Sequence, residues 1–96
     1  MRYAFAKALK TARKAHGLTQ EDFSLVSSRT YVSTLERGQK NPTLDKMDAI
    51  AQAIGIHLIS LLTLTHLYYE KCDDMDLIFE RVRSEVNRVC KNGNCE

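Results

Sequence analysis

Ninety-six residues and 11.0 kDa allow one modest core, which excludes two-lobed catalytic folds and barrels. An apolar fraction of 44%, a charged fraction of 27%, one Pro and four Gly are globular values, so collagen-like and wholly disordered chains are excluded as well. The net charge of +2 hides an asymmetry, because residues 1–40 carry eight basic and three acidic side chains whereas residues 41–96 carry six and nine. The first half is therefore suited to face a polyanion.

Helical periodicity dominates the chain and strand-like alternation is nearly absent. A first helix is expected over Tyr3–Ala15, with Phe5, Leu9 and Ala12 on one stripe and Lys7, Lys10 and Lys14 off it. His16-Gly17 closes it, glycine being the residue that most readily takes a left-handed cap. Thr19, with Asp22 three residues on, forms a loose capping box for a short second helix from Gln20 to about Val26, anchored by Phe23. Ser27-Ser28 reads as a turn in which either serine can cap a third helix, Arg29–Glu36. Val32 and Leu35 give that helix a narrow apolar edge. Its other residues are mostly hydrogen-bonding types, and Gly38 stops it.

Beyond the loop Gln39-Lys40-Asn41-Pro42, Thr43 caps a fourth helix whose apolar set is Leu44, Met47, Ile50, Ala51 and Ile54, with Gly55 at its end. A fifth helix begins near His57 and runs to Glu70. Asp73 is read as the cap of a sixth, with Asp74 and Asp76 in the first turn, where the helix dipole favours acids. Met75, Ile78, Phe79, Val82, Val86 and Val89 share one face of it, and Asn92-Gly93 ends it.

The basic N-terminal stretch lacks the apolar centre of a secretory signal. The most apolar run, Ile56 to Tyr69, is shorter than the roughly 20 residues of a membrane span and reads as buried core. Three unevenly spaced cysteines, Cys72, Cys90 and Cys95, argue for a reducing compartment, so the expected location is cytoplasmic. His16, His57 and His66 stand at no metal-ligand interval, and no nucleophile–base set or phosphate loop is visible. Neither an enzyme, a metal site nor a cofactor is expected.

A short helix, a tight turn and a second helix rich in hydrogen-bonding residues describe a helix-turn-helix. A major groove admits one α-helix and presents donors and acceptors on its floor. The entering helix must be held from behind, and Val32, Leu35 and Phe23 supply that support.

Leu18-Thr-Gln-Glu-Asp-Phe23, Arg29-Thr-Tyr-Val-Ser-Thr-Leu-Glu-Arg-Gly38 and Asn41-Pro-Thr-Leu44 together resemble the phage-repressor and Cro-like regulators, the XRE family. The resemblance covers about residues 5 to 62. It implies an all-α, five-helix domain over residues 1–64 that binds palindromic double-stranded DNA as a homodimer. Residues 65–96 lie beyond the match and are read from their apolar stripe as a helical extension that serves dimerisation, the competing outcome being a last helix folded back onto the helix before it. By the same resemblance Ser28, Arg29, Thr30 and Thr34 meet base edges, whereas Gln20, Tyr31, Ser33, Arg37, Lys40 and Asn41 lie at phosphates. Arg13 and Glu36 match an internal ion pair, and Leu9, Phe23, Val32, Leu35, Leu44, Ile50, Leu58 and Leu61 match the core.

The link from Leu25-Val26 through Ser27-Ser28 to Arg29 is about two residues shorter than the family pattern. Either the second helix ends early or the two helices meet at a changed angle. Two other functions fit the same residues. One is an antitoxin-like module that holds a partner protein, and the other is a regulator switched by the thiols of Cys90 and Cys95.

Overall fold

The structure, a computed structural model, describes residues 1–90. Five α-helices follow one another: α1 (Arg2–Ala15), α2 (Arg29–Glu36), α3 (Leu44–Ile54), α4 (Leu58–Glu70) and α5 (Met75–Cys90). A single 3₁₀ turn, Gln20–Phe23, stands between α1 and α2, and no strand occurs among the described residues. The fold is all-α, as the periodicity implies.

Local chemistry sets the ends of these elements. Beyond α1 the chain reverses at Gly17, whose φ of 69° lets the Leu18 N–H donate to the Arg13 carbonyl. Thr43 starts α3 by accepting from the Lys46 N–H at 3.1 Å. His57 Nδ1 accepts the Ile59 N–H at 3.0 Å and caps α4.

Two expected boundaries are corrected. The segment 20–26 is not an α-helix. It makes bonds of the i→i+3 kind, Ser24 N–H to the Glu21 carbonyl and Val26 N–H to the Phe23 carbonyl, and Leu25 is 98% exposed. One i→i+4 bond, Ser27 N–H to the Phe23 carbonyl at 2.8 Å, follows before Ser28 caps α2, so the turn does not extend into an α-helix. The helix ends early, which decides between the two readings of the short link. The cap of α5 is Asp74 rather than Asp73, because its Oδ1 accepts from the N–H groups of Asp76 and Leu77 at 3.0 and 3.3 Å.

The core lies among α1, the 3₁₀ turn, α2, α3 and α4. Phe23, Leu9, Leu35, Ile50, Leu61 and Val32 are its largest fully buried side chains. Leu44 does not join them: at the first position of α3 it is 60% exposed. The expectation that Ile56–Tyr69 is buried core holds for one face only. Leu61 and Thr65 are buried, but Ile59 and Tyr69 are more than half exposed. α4 runs unbroken past residue 64 and packs along α1, where the Tyr68 hydroxyl donates to Thr11 Oγ1 at 3.2 Å.

α5 stands apart. None of its residues is buried, and it does not fold back into the core. The radius of gyration, 14.9 Å, exceeds the roughly 12–13 Å of a compact chain of this length.

Candidate nucleic-acid interface

α2 is built to hold a polar face outward. Ser28 Oγ accepts the Tyr31 N–H at 3.1 Å and caps the helix. Val32 and Leu35 are fully buried beneath it. At 100° per residue the opposite side carries Arg29, Thr30, Ser33, Thr34 and Arg37. Gly38 ends the helix with φ +71°, and a Cβ there would run into the Tyr3 ring.

A buried clamp fixes the angle of this helix. Arg13 donates from Nε to Glu36 Oε2 at 2.6 Å and from Nη2 to Oε1 at 2.9 Å, while Nη1 reaches the Leu18 carbonyl at 2.8 Å. The two side chains are only 9% and 4% exposed. The hydrogen bonds to Glu36 raise the Arg13 pKa above its ordinary value, outweighing the opposing effect of burial, so the guanidinium stays charged. α1 and α2 are thereby joined by a fork-on-fork pair with no buried side-chain donor or acceptor left over among the described residues.

The structure places the expected contact residues as follows. Arg29 is exposed at the start of α2, with Nη1 3.3 Å from Glu21 Oε1 in a loose surface pair. Thr30 is exposed, and the half-buried Thr34 donates its hydroxyl to the Thr30 carbonyl at 2.8 Å. Arg37 donates to Ser33 Oγ at 2.7 Å and to Gln39 Oε1 at 3.2 Å. Lys40 Nζ lies 5.5 Å from the centre of the Tyr31 ring, and Asn41 is exposed in the loop.

Two more of the expected contact residues are tied within the chain. The Ser28 hydroxyl oxygen is occupied as the helix cap. Gln20 Nε2 donates to Glu36 Oε1 at 3.1 Å, which ties the 3₁₀ turn to the same clamp.

The sequence reading overlooked Lys46. Its Nζ lies 5.4 Å from the Tyr31 ring centre, opposite in sequence to Lys40, and donates to the Val26 carbonyl at 2.9 Å. It thus links α3 to the turn before α2 and adds a cation beside Tyr31. A lysine on the first turn of α3 carries no sequence signal for this role.

A helix-turn-helix family model matches residues 9–61, more than half of the chain. The chain belongs to the helix-turn-helix family of the XRE type. Its members are DNA-binding transcriptional regulators.

An uncharacterized HTH-type transcriptional regulator, y4dJ of Sinorhizobium fredii, is 44% identical over 55 residues, which is 55% of this chain and 71% of that protein. The control protein C.BamHI of Bacillus amyloliquefaciens is 43% identical over 37 residues, covering 38% of this chain and 46% of its own. The crystal structure of the clp gene regulator ClgR from Corynebacterium glutamicum has the same fold. It superposes with a TM-score of 0.66 at 23% identity over 99% of this chain and 95% of that one.

Among the described residues no single helix is long and apolar enough to cross a membrane. Of the two cysteines proposed as a thiol switch, Cys95 lies outside the described residues.

Proposed function

We propose that this helix-turn-helix protein is a sequence-specific regulator of transcription that acts in the cytoplasm as a homodimer on a palindromic operator. One observation carries the reading. The outward face of α2 is almost wholly hydrogen-bonding, and the buried Val32, Leu35 and Arg13–Glu36 clamp hold it at one angle. The basic first forty residues and the family's chemistry support the same choice.

In this reading α2 enters the major groove. Arg29 reads guanine through a forked pair, the commonest specific contact. Thr30 and Thr34 reach neighbouring base edges, as does Ser28 through the hydroxyl proton its cap leaves free. Ser33, Arg37, Lys40, Asn41 and Tyr31 hold the flanking phosphates. Gln20 does so with its second amide proton. These contacts position the helix without choosing the sequence.

Two half-sites on one side of a duplex are about 34 Å apart. The apolar face of α5, the exposed Met75, Phe79, Val82, Val86 and Val89 with the half-buried Ile78, joins the two copies that read them.

Selection of bound sequences from random duplexes, followed by gel-shift titration at rising salt, tests the proposal. A recovered inverted repeat, bound with a steep salt slope, is the expected result. Enrichment of no sequence at all would contradict it.

A further inference from the structure

The dimer proposed above leaves open how two copies of α5 meet, and the spacing of its apolar residues addresses that. Met75, Phe79, Val82 and Val86 recur at intervals of four, three and four, the seam of a two-stranded coil. They are 48%, 38%, 46% and 49% exposed, and none of them is buried by the described residues. Ile78 and Val82 also line an open groove of about 570 Å³ toward Leu62 and His66 of α4.

We propose that a second copy of this chain covers the seam with its own α5, running antiparallel, with the two-fold axis between Phe79 and Val82. Each Met75 then packs on the partner's Val86, and each Phe79 on the partner's Val82. The arrangement rests on the homodimer reading and adds its direction and register.

The charges flanking the seam choose among the alternatives. Arg81 and Glu85 pair with each other along their own helix at 3.6 Å. On the other flank stand Asp76 and Arg83, for which the described residues supply no ion-pair partner within the chain. In the antiparallel register given, Asp76 of each copy lies beside the partner's Arg83, so two symmetric pairs form at once. A shift by one heptad sets Arg83 against the partner's Arg83. A parallel coil places neither charge beside the other. The first arrangement alone satisfies both the apolar layers and the charges. It also seats the partner helix along the mouth of the α4–α5 groove.

The test is a charge exchange followed by analytical ultracentrifugation of the full chain. Asp76→Arg alone and Arg83→Asp alone each set like charges at both junctions. Each should weaken self-association about tenfold. Mixed in equal amounts, the two variants should recover a heterodimer of near wild-type strength, and the double variant D76R/R83D should self-associate like wild type. Both positions are exposed, and an unchanged circular dichroism spectrum confirms that folding is kept. Rescue in the mixture also excludes a mere effect on the helix start, since neither chain's helix is repaired by mixing.

Single variants that associate like wild type, while Phe79→Glu still gives monomers, would overturn the register and leave the dimer standing. A wild-type chain that stays monomeric would overturn both.

Discussion

α2 and α5 divide apolar from polar in opposite senses. α2 buries Val32 and Leu35 completely and turns threonine, serine and arginine outward. α5 buries nothing and turns methionine, phenylalanine and valine outward. Within one chain the packing of α2 is complete, since its inner face is covered and its end groups are capped. That of α5 is incomplete, because an amphipathic helix is stabilised by covering its apolar stripe. Rigidity therefore belongs to α2, and the need for a covering surface to α5.

The largest expected effect separates the two regions by stability. Glu36→Gln strands Arg13 in a nearly water-free site, which should cost about 3–5 kcal/mol. The thermal unfolding midpoint then falls by more than about 10 °C. An unchanged midpoint would show that the clamp does not hold α2.

Phe79→Glu should act the other way. It places a charge where the partner's helix packs and should weaken dimerisation by about 100-fold or more. Phe79 is 38% exposed within the chain, so helicity and the unfolding midpoint measured on dilute protein should barely change. Sedimentation and calorimetry check the two halves of this prediction, and a dimer that survives would place the interface elsewhere.

The smallest effect sharpens the role of the α2 flank. Lys40→Ala should weaken every duplex alike and lower the slope of log affinity against log salt by about one. Gel shifts at several salt concentrations measure it, and a loss confined to one sequence would contradict a phosphate contact.

Most of the fold was legible because short-range chemistry sets it. The glycines at 17, 38 and 55 and the caps Ser28 and Thr43 put α1, α2 and α3 within a residue or so of their expected bounds. The 3₁₀ turn was not legible as such. Thr19, Asp22 and Phe23 mark a helix start and an anchor, but how many turns follow depends on the span to α2. Leu44 shows the limit of apolar spacing, since a residue on the first turn of a helix can overhang the core edge.

At the interface, the residue types on α2 were readable and their hydrogen-bond partners were not. The Gln20 amide goes to Glu36, sixteen positions away, and Lys46 reaches back to Val26. Only the assembled fold brings these together. The stripe on α5 was plain in the sequence, and the described residues bury none of it.

The central claim is that α2 reads bases, and the most direct test is the affinity of Arg29→Ala for the selected operator and for each single-base-pair variant of it. The account predicts a loss of about 1–3 kcal/mol on the operator, with preference relaxed at one base pair in each half-site and kept at the others. An Arg29→Ala protein that binds the operator as wild type does, with the same preference at every base pair, would contradict it.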